Sequence, residues 1–132
     1  MEASVLLKTV GIRATPKRVA LLHVLGKACE PLSAEILRSR VRGMDLVTIY
    51  RNLQEFVKTG IVQEVRFKDG IVRYEIAHTH HHHLVCTDCG FVEEIELCDM
   101  ALLEKRVLRH SRRFKVISEH ALEFFGLCKK CA

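Results

Sequence analysis

The sequence predicts an α+β fold in two parts: a helical first half closed by a β-hairpin, and a smaller α/β half with short strands around one helix. Three observations carry this prediction. Helically spaced apolar residues recur between Thr15 and Gly60, and two β-rich runs then flank Lys68-Asp69-Gly70, where Asp-Gly marks a tight hairpin turn. After Ala77 the pattern changes to short β-rich runs around a single helical stretch. Two cysteine pairs, Cys86-Thr87-Asp88-Cys89 and Cys128-Lys129-Lys130-Cys131, bracket this second half. With 132 residues and 48% apolar content the chain can form one ordinary domain or two small ones. The change of pattern places the boundary between 1–77 and 78–132, with a hinge near residues 76–79. A domain of roughly 60 residues buries only about 60% of its unfolded surface, so a metal staple would help the second half to fold.

The elements follow in order. Thr15-Pro16 starts a helix, with threonine as the cap and proline at a position whose N–H has no partner anyway. Val19, Leu22 and Leu25 give it an apolar face, and it ends near Gly26. Ser33 opens a second helix from Ala34 to about Arg40, and a third runs from about Val47 to Thr59, stopping at Gly60. On the third, Ile49, Leu53, Phe56 and Val57 share one arc; Thr48, Tyr50, Arg51, Gln54 and Lys58 share the other. The strands at 62–67 and 71–76 complete a winged helix-turn-helix pattern. In the second half, strands are expected at 84–86, 91–97, 114–117 and 120–127, with Asp99 capping a helix to about His110.

The net charge of +5 is unevenly spread. Residues 1–70 carry 12 Lys and Arg against 7 Asp and Glu, whereas residues 71–132 carry 9 of each. Basic residues on the third helix and hairpin, including Arg66, Lys68 and Arg73, favour a polyanion partner, most simply double-stranded DNA. In a winged helix the third helix enters the major groove and the hairpin touches the flanking backbone. The chain starts without a basic-then-apolar leader and has no apolar run long enough for a membrane span, so a cytoplasmic protein with reduced thiols is expected.

Cys86, Cys89, Cys128 and Cys131 supply four thiolates, the tetrahedral set of a structural zinc. No thioredoxin-like context surrounds either pair, which argues against redox dithiols. Cys29 and Cys98 lack partners at ligand spacing and read as ordinary small residues. The histidine run is interrupted by Thr79 and leads into a strand, where alternate residues face opposite sides. His81 and His83 therefore share one face and His80 and His82 the other, which suggests two metal sites. A zinc enzyme is disfavoured, since no His-Glu-x-x-His motif is present and the basic half would have no role. A metal-storage protein would hold several weakly bound ions and show no sequence-selective DNA binding.

Four motifs extend over nearly the whole chain: Gly11-Ile12-Arg13-Ala14-Thr15-Pro16-Lys17-Arg18, Thr48-Ile49-Tyr50-Arg51-Asn52-Leu53, His80-His81-His82-His83-Leu84-Val85-Cys86-Thr87-Asp88-Cys89-Gly90 and Cys128-Lys129-Lys130-Cys131. With these the chain resembles the ferric uptake regulator family of bacterial metal-dependent repressors. The resemblance implies a winged-helix DNA-binding domain, a dimerisation domain, structural zinc on the four cysteines and operator binding controlled by a second metal. It implies a hinge site of Glu75, His81, His83 and Glu94, and a further site of His80, His82, Glu104 and His120 in the dimerisation domain. Tyr50 and Arg51 match DNA-facing positions, while Arg13 and Arg18 match basic residues near the DNA backbone. A homodimer on a near-palindromic operator is the implied assembly.

There is one departure. Many members supply a hinge-site histidine where this chain reads Cys29-Glu30-Pro31-Leu32-Ser33; either Glu30 substitutes or the metal binds without that anchor. The zinc-sensing branch often uses a cysteine in its regulatory site, absent from Tyr74-Glu75-Ile76-Ala77, and the peroxide-sensing branch tends to use aspartate where Glu75 and Glu94 stand. The nitrogen and oxygen set suits Fe2+, with Zn2+, Mn2+ and Ni2+ as alternatives.

Overall fold

The structure, a computed structural model, describes residues 2–78, 80–96 and 100–132. It divides into two compact units, Met1–His78 and Thr79–Ala132. The fold is α+β, a winged helix-turn-helix followed by a small α/β unit.

The first unit opens with α1 (Ala3–Thr9), which sequence reasoning did not assign. Beyond it, Gly11 adopts φ 77° and the chain closes a Schellman turn, with Gly11 N–H on the Lys8 carbonyl and Ile12 N–H on the Leu7 carbonyl. In α2 (Pro16–Lys27) the Thr15 hydroxyl accepts from Arg18 N–H; in α3 (Ala34–Arg40) Ser33 Oγ accepts from Ile36 N–H. Asp45 caps α4 (Leu46–Lys58), its carboxylate accepting the Thr48 N–H at 2.7 Å. The same termination recurs after α4: Gly60 at φ 80° lets its own N–H reach Val57 and the Ile61 N–H reach Phe56.

A three-stranded antiparallel sheet, ordered β1–β3–β2, consists of β1 (Leu32–Ser33), β2 (Val62–Arg66) and β3 (Val72–Ile76). The wing is the β2–β3 hairpin, in register from Val62 opposite Ile76 to Arg66 opposite Val72. One apolar core runs through the unit: Leu7, Leu21, Leu37, Ile49, Leu53 and Phe56 are all 0% exposed. The face of α4 expected to turn inward does so, with Val57 packed half-buried against this cluster.

The second unit contains β4 (His82–Cys86), β5 (Val92–Ile95), α5 (Met100–His110) and β6 (Glu123–Gly126). Its sheet is ordered β5–β4–β6, antiparallel on one side of β4 and parallel on the other. The last strand is shorter than expected. Residues 114–117, expected as a strand, form none, and Phe114 and Val116 are exposed. Their β-rich composition finds no neighbouring strand to pair with among the described residues, and composition without a partner does not make a strand. The expected Asp99 cap, Cys98 and the Thr79 interruption lie outside the described residues. No helix among the described residues is long and apolar enough to cross a membrane.

Candidate metal centres

The cysteine cluster is built by the ends of two parallel strands. β4 delivers Cys86 into a turn in which Gly90 N–H donates to the Cys86 carbonyl and Cys86 N–H to the Phe91 carbonyl. Beyond β6, Cys131 N–H folds back onto the Cys128 carbonyl, and Thr87 N–H on the Gly126 carbonyl joins the two knuckles. The four sulfurs lie within 4.8 Å of one another, with Cys89 and Cys128 Sγ 3.7 Å apart. Tetrahedral zinc with bonds of about 2.3 Å needs sulfurs about 3.8 Å apart, so the set fits. The Cys128 N–H, 3.4 Å from Cys86 Sγ, and the Cys89 N–H stabilise the thiolate and lower the Cys86 thiol to about 6. The Cys131 thiol is raised, first by its hydrogen bond with the Cys128 side chain and then by Asp88. One thiol thus ionises readily and another resists, as expected where crowded sulfurs await a cation.

The histidine run splits as strand alternation requires. His80 and His82 rings stand 4.7 Å apart, and His81 and His83 rings 4.9 Å apart. On the first face, His80 Nε2 lies 3.2 Å from His82 Nε2 and 3.0 Å from His120 Nε2. His120 Nδ1 in turn lies 3.0 Å from Glu104 Oε1 on α5. Partial desolvation, then the neighbouring His82 and His120, depress the His80 imidazole below its usual value. Three ring nitrogens at these spacings match metal–nitrogen bonds of about 2.0–2.1 Å, which place tetrahedral ligands about 3.3 Å apart.

On the second face, the ligand atoms of His81 and Glu94 lie within 4.8 Å of each other, as do those of His81 and His83. Glu94 sits on β5 directly opposite His83. Glu75 belongs to the first unit, on β3, where its carboxylate accepts from Gln63 Nε2 at 2.6 Å. Glu30 is exposed just before β1, and Pro31 is buried. Sequence reasoning missed Glu123, whose Oε2 lies 3.2 Å from His83 Nδ1. The two residues are partners in the parallel β4–β6 register, a pairing 40 residues apart that no local motif announces.

In the first unit, Arg51 is exposed on the outer side of α4 and Tyr50 projects there too, its hydroxyl donating to Glu35 Oε1 at 3.4 Å. Thr48 is half-buried at the start of the helix, and Arg13 is exposed. Arg18 is occupied internally: its guanidinium donates to Asn52 Oδ1 at 2.9 Å, Glu55 Oε2 at 2.7 Å and the Arg13 carbonyl at 3.2 Å. It braces α2 against α4.

The model of the ferric uptake regulator family matches residues 9–125. The chain belongs to this family. It is 31% identical to the peroxide operon regulator of Bacillus subtilis (strain 168) over 135 residues, covering 99% of this chain and 92% of that one. The Vibrio cholerae ferric uptake regulator has a similar structure, with TM-score 0.75 and 31% identity over 95% of this chain and 98% of that one. So has the Helicobacter pylori ferric uptake regulator, described as having three functional metal-binding sites, with TM-score 0.75 and 26% identity over 96% and 87%. As a member of the ferric uptake regulator family, the chain is a metal-responsive, DNA-binding transcriptional regulator. Among the described residues, the cysteine cluster and the histidine groups are candidate sites for the structural zinc and regulatory metals of that family.

Proposed function

We propose that the protein is a cytoplasmic homodimeric repressor that binds a near-palindromic operator when a divalent ion, Fe2+ before Zn2+, Mn2+ or Ni2+, occupies a hinge site of Glu75, His81, His83 and Glu94. Cys86, Cys89, Cys128 and Cys131 hold a permanent zinc that shapes the second domain (78–132), while the first (1–77) reads DNA. His80, His82 and His120, with Glu104, make the further site. The observation that carries this reading is the division of labour along one short segment: His80 and His81 lead into β4, whose His82 and His83 complete the two histidine faces, and the strand ends in the cysteine cluster. Apolar Leu102, Leu103 and Val107, exposed on α5, supply area for a second copy. Arg13, Thr48, Tyr50 and Arg51 make the DNA contacts; Arg18 acts by holding the recognition helix in place.

The switch needs no contact between metal and DNA. An ion that binds the DNA-competent arrangement better by about 5.5 kcal/mol moves a two-state equilibrium from 1:99 to 99:1. Coordination free energies of roughly 10 kcal/mol or more at strong sites leave room for that difference. Gel-shift titration of an operator fragment, with the zinc retained and the exchangeable ion removed and restored, tests the proposal. Equal affinity in both states would sink it.

The peroxide-responsive relatives favour a second reading, in which oxidant releases the operator. Hydrogen peroxide added to the iron-loaded complex separates the two. Stable repression supports the metal sensor, whereas release that metal does not restore supports the peroxide sensor.

A further inference from the structure

The charges of the second unit are sorted along its chain. Residues 79–104 carry six Asp and Glu and no Lys or Arg, whereas residues 105–115 carry six Lys and Arg and no Asp or Glu. The even balance over the unit therefore hides a basic run, Lys105, Arg106, Arg109, Arg112, Arg113 and Lys115, which spans the second half of α5 and the turn beyond it. All six are exposed, and among the described residues none of their side chains has an ion-pair or hydrogen-bond partner. Two of the preceding acids are engaged elsewhere: Glu94 lies with His81, and Glu104 meets His120 Nδ1 at 3.0 Å.

Helix-end chemistry accounts for little of this run. Cations are favoured in the last turn of a helix, which here holds Arg109 and His110 alone, and the His110 ring already donates Nδ1–H to the Arg106 carbonyl at 2.8 Å. Arg109 is four residues from Lys105 and three from Arg106, spacings at which like charges on a helix repel. Arg112, Arg113 and Lys115 lie past the helix, where Ser111 Oγ accepts the Arg113 N–H at 3.3 Å and the Phe114 N–H at 3.0 Å. The positive charge is thus held on an ordered backbone against its own repulsion, which a polyanion would relieve. Four of the six are arginines, whose planar guanidinium matches phosphate oxygens two at a time. In a DNA-binding regulator, duplex DNA is the polyanion at hand. We propose that this basic run is a second DNA-binding surface, carried by the second unit, which grips duplex phosphates whatever their sequence. Contacts of this kind add affinity and fix position, while base reading stays with the first unit.

The salt dependence of binding to a duplex of scrambled sequence tests it, measured on the full chain with zinc in the cysteine site. Each phosphate contact contributes about 0.9 to the slope of log affinity against log salt concentration. The double variant Arg112→Gln/Arg113→Gln is expected to flatten that slope by about 1 to 2 units. Arg112→Lys/Arg113→Lys, which keeps both charges, should retain the wild-type slope. So should Lys129→Gln/Lys130→Gln, which removes the same charge from exposed positions elsewhere in the unit. A wild-type slope in the Arg112→Gln/Arg113→Gln protein would overturn the proposal. Equal flattening in both glutamine variants would overturn it too, by reducing the effect to net charge. Loss of binding to duplex RNA or to anionic vesicles, with the DNA slope unmoved, would give the run to another partner and likewise overturn it. The duplex carries no operator, so none of these outcomes depends on the metal switch proposed above.

Discussion

The two halves of the chain solve the folding problem with different materials. Among the described residues, Cys86 is the one apolar side chain counted as buried outside the first unit, whose core joins four helices to a sheet. Helix α5 buries no residue at all, and Leu84, Phe91, Leu103, Phe114 and Phe124 of the second unit are exposed. In their place the second unit concentrates four thiols and a set of imidazoles. An apolar core is always present, whereas thiols and imidazoles depend on what they bind. On the reading proposed above, a regulator gains from this asymmetry, because the half assigned to DNA keeps its apolar core while the half assigned to metal depends on what it binds.

The sharpest way to break the comparison is to remove a thiolate. Cys89→Ser should lose zinc and unfold or monomerise the second domain, since structural zinc supplies on the order of 10 kcal/mol of folding free energy. Hydrogen exchange should show α2 and α4 still protected. Full zinc content and dimeric mass in this mutant would contradict the account.

The reciprocal change is Phe56→Ala, at a side chain that is 0% exposed. It should destabilise the first unit by about 3–5 kcal/mol and leave zinc stoichiometry unchanged, checked by denaturant unfolding alongside metal analysis.

Arg51→Ala should leave both units and the dimer intact while weakening operator binding by about 1–3 kcal/mol in a gel-shift assay. Wild-type affinity would argue against α4 as the reading helix.

The smallest effect concerns the wing tip. The Arg73 guanidinium, with the Ile71 N–H, holds the Asp69 carboxyl at about 2, below its ordinary 3.8. A depressed folded-state value stabilises the hairpin above about pH 4, and that contribution is lost as pH falls through about 2. The pair is exposed, so the change should be slight. NMR titration of the Asp69 carboxyl in the native protein and in Arg73→Met checks it, and an unshifted value in the native protein would refute it.

Much of the first unit was legible because its signals are local. Thr15 and Ser33 cap the helices that they precede, Gly60 ends α4 by the turn that only a positive φ allows easily, and Asp69-Gly70 folds the wing. The exception, α1, has seven residues and no side-chain cap bond; burial of Leu7 holds it in place, and tertiary contact leaves no mark in the local sequence. The same limit applies to the sites. Alternation was enough to pair His80 with His82 and His81 with His83. Glu123 stayed hidden because it meets His83 only through strand register. Arg18 shows a related limit. The family resemblance matched it to a residue near the DNA backbone, and the structure adds what no local pattern announced, that Asn52 and Glu55 of another helix engage its guanidinium.

The parallel pairing of β4 with β6 also has a kinetic consequence. The wing closes over a handful of residues, but His83 meets Glu123 only after 40 residues have been looped out, and the entropy of closing a loop grows with its length. The first unit should therefore form early, while the two cysteine knuckles remain apart until late. Zinc would then act as a capture agent for a slow, long-range encounter, so that its supply during refolding, rather than chain collapse, sets how fast competent protein accumulates. Stopped-flow refolding at graded zinc concentrations should show an early phase indifferent to the metal and a late one that quickens with it; a late phase unmoved by zinc would count against this order of events.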